Sequence, residues 1–72
     1  MLLHVFMYYV KPSQYVVLEV NKKEIYRGLK KDITKDIIEE MVMRYLVLTE
    51  VESENSVLLV NTMEGITEDE KY

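Results

Sequence analysis

The sequence predicts an α+β domain: a small antiparallel sheet of about five strands in the order β-β-β-α-β-β, with one helix over about residues 34–46 packed on one face. Three observations predict it. Short apolar runs recur between polar turn clusters, one stretch alone carries a 3.6-residue period, and no segment repeats another. At 72 residues the chain makes one domain at most, near the lower size limit for a self-sufficient core. That domain is expected over residues 1–63, with residues 64–72 as an acidic, disordered tail.

The first strand is expected over residues 2–10, where Leu3, Val5, Met7 and Tyr9 alternate with Leu2, His4, Phe6, Tyr8 and Val10. Apolar residues on both faces mark a strand covered on both sides. Lys11-Pro12-Ser13-Gln14 then reads as a turn, because Pro12 fixes φ and removes a ladder donor. Tyr15–Val20 is the second strand, with Val16, Leu18 and Val20 toward the core, and Asn21-Lys22-Lys23 is a tight connection into a third strand over residues 24–27 that Gly28 ends.

Thr34 is the expected N-cap, Asp36 suits the positive end of the helix dipole, and Ile33 with Ile38 forms a hydrophobic staple. Ile37, Ile38, Met41, Val42, Tyr45 and Leu46 make an apolar stripe too wide for a single contact, so the helix wedges between two surfaces or offers one flank to a partner. Residues 47–52 and 57–63 are the last two strands, joined by the turn-like Ser53-Glu54-Asn55-Ser56.

Charge is divided along the chain. Residues 1–36 carry seven Lys/Arg against four Asp/Glu, and residues 37–72 carry two against nine. Six of the basic residues, Lys22, Lys23, Arg27, Lys30, Lys31 and Lys35, share one window. If they converge, they could meet phosphates with Tyr26 stacking on a base, which makes a nucleic-acid-binding regulator the alternative function. An acidic second half would repel the same polyanion, and Lys-rich turns also serve as guards of sheet edges.

No constellation of residues specifies a reaction. His4 is the single histidine, with no orienting carboxylate evident, and a half-buried core His is its commoner use. A zinc site wants three or four ligands, and the chain has no Cys. Glu39/Glu40 and Glu50/Glu52 lack the burial that would make a carboxyl a general acid. The chain therefore reads as a non-enzyme, with no cofactor and no small-molecule substrate indicated. The N-terminal apolar run lacks a basic leader region and a cleavage site and is too short to span a bilayer, so a soluble, cytoplasmic protein is expected.

One helix against one sheet leaves the other sheet face bare, so the apolar content predicts a homodimer or an obligate protein partner. The contact is expected on Phe6, Tyr8, Tyr9, Tyr15 and Val17, the Tyr-rich face of the first two strands, with Met43 of the helix. The function read from the residues is thus a small homodimeric protein–protein interaction module. The absence of Ala and the weight of Phe, Tyr, Met, Ile, Asn and Lys suit AT-rich coding, hence an accessory or inhibitory protein of a virus, plasmid or AT-rich microbe.

Overall fold

The computed structural model describes residues 1–65. Helix α1 spans Leu3–Tyr8, strand β1 Tyr15–Val20, strand β2 Lys23–Leu29, helix α2 Lys35–Met43, strand β3 Leu46–Glu54 and strand β4 Val57–Glu64. A 3-10 turn over Lys30–Asp32 joins β2 to α2. The molecule is α+β, but the sheet has four strands in the spatial order β2-β1-β4-β3, and the element order is α-β-β-α-β-β.

Two corrections to the sequence reading follow. The segment expected as a first strand is a helix. Leu3, Phe6, Met7 and Val10 fall at helical spacing, and they are the ones turned into or against the core, while Tyr8 and Tyr9 point out. With nearly every position apolar, alternation carried no information there, and a buried stripe decided the outcome. The second correction is that the sheet is mixed. β1 pairs antiparallel with β2 and β3 with β4, but β1 and β4 run parallel at the centre, Val16 beside Leu58 and Leu18 beside Val60.

Each outer pair is a hairpin with a two-residue turn. Asn21 and Lys22 (φ 52° and 69°) close one, Asn55 and Ser56 (φ 51° and 65°) the other. Two successive left-handed residues give the turn whose twist matches that of the strands, and Asn tolerates this backbone well. β2 runs through Gly28 to Leu29, longer than residues 24–27, and β3 extends past residue 52 to Glu54. Each edge strand carries one extra residue: Ile25 in β2, between the pairs Leu18–Tyr26 and Glu19–Glu24, and Thr49 in β3, between Leu48–Thr62 and Glu50–Asn61.

Helix α2 begins where its cap predicts, the Thr34 Oγ1 accepting the Ile37 N–H at 3.3 Å. It ends earlier than residue 46. Tyr45 turns left-handed at φ 53°, and Leu46 is fully buried as the first residue of β3 rather than the last of a helical stripe. The Tyr45 carbonyl accepts the Gly65 N–H at 2.8 Å, and Arg44 grips Glu40 at 2.8 Å and Glu64 at 2.5 Å, so the end of α2 is fastened to the end of β4. Glu64 therefore belongs to the sheet, and the rest of the expected tail, residues 66–72, lies outside the described residues.

Both helices lie on the same face of the sheet. Leu3 and Met7 of α1 and Met41 of α2 close over Val16, Leu18 and Val20 of β1, Leu46 of β3 and Val60 of β4. Leu2 bridges to Val47 just beyond the end of α2, while Lys31 N–H bonds the Pro12 carbonyl just beyond the end of α1, so the two helices run in opposite senses. The opposite face carries Val17, Val57 and Leu59 beneath Glu19, Arg27, Glu52 and Glu54.

Two buried polar residues on β4 tie the hairpins together. The Asn61 Oδ1 accepts the Lys22 N–H at the β1–β2 turn (2.9 Å), its Nδ2 donates to Thr49 Oγ1 (2.8 Å), and that hydroxyl donates to the Asn61 carbonyl (3.0 Å). Thr62 Oγ1 donates to the Glu19 carbonyl at 2.7 Å. Asn61 thus joins the turn of one hairpin to the bulge of the other. Asn61→Ala strands the Lys22 N–H and is expected to cost about 1–3 kcal/mol. Thermal unfolding followed by circular dichroism checks this; a melting temperature equal to that of the parent means the clamp carries no stability.

Candidate functional site: the groove between the two helices

Because α1 is short and α2 lies beside it, their facing flanks do not close. A groove of about 350 Å³ remains between them, floored by the buried Met7 and Met41 and walled by His4, Tyr8, Ile33 and Ile38. Lys30 and Lys31 stand at the end where the 3-10 turn leads into α2. The Nδ1 of His4 is buried, and no described residue hydrogen-bonds it. Groove and surroundings are apolar beyond what the core uses. Tyr8 and Tyr9 are 81% and 77% exposed and meet edge to face, ring centroids 5.5 Å apart. Val5 on α1, Ile38, Val42 and Met43 on α2 and Tyr45 just past it are exposed as well. These exposed apolar side chains lie on or beside the two helices.

The position of the two lysines depends on β2. Gly28 takes φ 148°, a backbone that disfavours a side chain, and a Cβ there would come within 2.8 Å of the Tyr26 hydroxyl. That hydroxyl donates to the Leu29 carbonyl at 2.6 Å, one residue before Lys30. Lys30 and Lys31 then give their N–H groups to the carbonyls of Gln14 and Pro12, fixing the turn against the loop that leaves α1.

The residues singled out from the sequence fall in several places. Tyr8, Tyr9 and Met43 lie on the helical layer and are exposed. Phe6 is half-buried and packs against the core. Tyr15 and Val17 belong to the opposite sheet face, where Val17 is already buried, so no Tyr-rich face of two strands is formed. The basic window is divided as well. Lys22 and Lys23 sit at the hairpin tip, and Lys30 and Lys31 follow the far end of β2, about 20 Å away at strand rise. Lys22 faces Glu50 at 3.7 Å and Arg27 is held by Glu24 at 2.9 Å, whereas Lys30, Lys31 and Lys35 make no ion pair among the described residues. Lys35 opens α2.

Sequence reasoning missed Val5 and Ile33 as surface-forming residues, while the width of the α2 stripe already offered one flank of that helix, with Ile38, to the surface. Among the described residues no three His, Asp or Glu side chains converge as metal ligands, and no helix is long and apolar enough to cross a membrane. Compared with known protein families, characterised proteins and solved structures, the chain finds no match.

The Tyr26 phenol titrates above its ordinary value of 10.0, pushed up by burial first and then by the negative charge of Asp32 and by Tyr15. The folded protein therefore holds this proton at pH values where the unfolded chain has released it. Its contribution to stability is complete below pH 10 and is lost as the pH rises through the phenol's raised value. The melting temperature is expected to fall across this alkaline window, and Tyr26→Phe to flatten that fall while lowering stability at neutral pH by the lost Leu29 bond. Parallel alkaline melts of the two proteins decide it; identical slopes mean Tyr26 is not the group responsible.

Proposed function

We propose that the protein is a small protein–protein interaction module whose working surface is the helical layer, centred on the groove between α1 and α2. One observation carries the reading: exposed Val5, Tyr8, Tyr9, Ile38, Val42, Met43 and Tyr45 lie on or just beside the two helices, against Val51 and Met63 alone on the strands among the described residues. Aromatic and large aliphatic side chains around a preformed apolar depression are what a protein partner covers most profitably. The other surfaces are less suited. The free face of the sheet shields Val17, Val57 and Leu59 with Glu19, Glu52, Glu54 and Arg27. The edge strands carry charged side chains and a bulge each, features that discourage strand addition. An accessory or inhibitory role suits a domain built around a docking face.

A photo-crosslinking amino acid placed at Tyr8, or at Glu52 on the free sheet face, tests this reading in cells. Adducts are expected from the Tyr8 position, lost when Ile38→Glu is added, and none from the Glu52 position. Adducts from the sheet position alone, or none from either, would overturn it.

A further inference from the structure

We infer that the partner of this surface presents an acidic segment with one aromatic anchor, its ring seated on the floor of the groove and its carboxylate held by Lys30 and Lys31; the inference rests on the reading above. Three observations select that chemistry. The first is the charge of the wall. The chain has 13 acidic residues against nine basic ones, yet the groove is lined by Lys30, Lys31 and His4 with no carboxylate among its lining residues. Asp32 and Asp36 stand in the same stretch of chain but not on the wall. Lys30 is half-buried, and neither it nor Lys31 has an ion-pair partner among the described residues. The Lys30 N–H donates to the Gln14 carbonyl at 2.8 Å and the Lys31 N–H to that of Pro12 at 3.0 Å, so the root of each side chain is set before a partner arrives. Two neighbouring ammonium groups suit an anionic acceptor.

The second observation is the floor. Met7 and Met41 form it, 4% and 1% exposed, and a thioether is a favourable neighbour for an aromatic ring. The six residues of α1 make a wall about 9 Å long. An extended segment crosses that length in about three residues, so ring and carboxylate must lie that close together in its sequence. The third observation is that the groove is open along the side between the helices. Sites for small ligands bury most of the ligand's surface, which this one does not do. A segment of a larger partner gains further contact from Tyr8 and Tyr9, exposed at the lysine end of α1. Nucleic acid fits less well, because Lys22 faces Glu50 and Arg27 is held by Glu24, so the two lysines do not extend into a phosphate track.

Selection of short random peptides, displayed on phage, against the full chain tests the pairing. The expected winners carry Asp or Glu within about three residues of a Phe, Tyr or Trp. Their binding is expected to weaken as salt is raised. Replacing the ring by alanine in a winning peptide is expected to weaken it about tenfold. Lys30→Glu combined with Lys31→Glu is expected to cost about tenfold as well and to select basic peptides in place of acidic ones. Should that double variant unfold, Lys31→Ala at its exposed position decides, with a smaller loss in the same direction. Winners that are basic or uncharged, winners whose affinity ignores the lysine changes, or no winners at all overturn the inference. So does failed selection by a chain that sediments as two 8.6 kDa copies, which makes a second copy the occupant. A gain in peptide affinity when Glu68, Asp69 and Glu70 are changed to lysine overturns it too, by making the chain's own acidic residues the occupant. Tighter binding of a single-stranded oligonucleotide has the same consequence. In all these cases crosslinks that persist from Tyr8 to another protein leave the interaction-module reading standing; if they too are absent, both fall together.

Discussion

The fold depends on the parallel pairing of β1 with β4. Antiparallel neighbours can be joined by two residues, and the two outer pairs are. Parallel neighbours cannot, because the chain must return to the starting end before pairing again. Here the return is made by the 3-10 turn, α2 and β3, so that β4 arrives beside β1 with Val16, Leu18 and Val20 level with Leu58, Val60 and Thr62. This makes the central strands a continuous apolar strip, and it obliges α2 to cross one sheet face from the β2 edge to the β3 edge. Asn61 and Thr62 sit where the two hairpins abut, and their side chains satisfy polar groups that a purely apolar strip would leave stranded.

Given that crossing, the place of α1 follows. A nine-residue helix, about 13 Å long, cannot cover a four-stranded sheet by itself. Leu3 and Met7 fill the remainder, which is why both are buried although α1 has neither a side-chain cap nor a charged end to favour it. A helix of six residues has almost no stability of its own. It is held by packing, by Leu2 on Val47 and by the Met1 carbonyl on the Leu48 N–H. These contacts also block the start of the β3 edge. Their cost is that the facing flanks of two short helices fail to close, and the groove is the gap left over.

What was legible in the sequence divides along the same line. Local chemistry could be read directly: the Thr34 cap, the alternation of β1, and the turns at Asn21 and Asn55, each fixed by residues within a few positions of one another. Residues 2–10 could not, because a segment apolar at nearly every position satisfies both periods and only the sheet it meets chooses between them. The parallel centre was invisible for a related reason, since pairing over forty residues leaves no mark in a window of ten. The same limit scattered the expected interface. Tyr8, Tyr9 and Met43, expected in that interface, are exposed on the helical layer, whereas Tyr15 and Val17 joined them only under a strand geometry that residues 2–10 do not adopt.

The surplus itself has a physical meaning once its location is known. On the free sheet face charged side chains stand beside several of the apolar ones. Glu52 and Glu54 overlie Leu59 and Val57, Arg27 overlies Val17, and Lys23 and Glu24 flank the bulge of β2. On the helical layer Ile38, Val42 and Tyr8 are exposed, with Lys30, Lys31 and Lys35 toward the start of α2 and Glu39 and Glu40 at its middle. The difference between the two faces follows from the packing: two short helices with unclosed facing flanks leave apolar side chains open beside a preformed gap, whereas on the free sheet face neighbouring strands set charged side chains next to Val17, Val57 and Leu59.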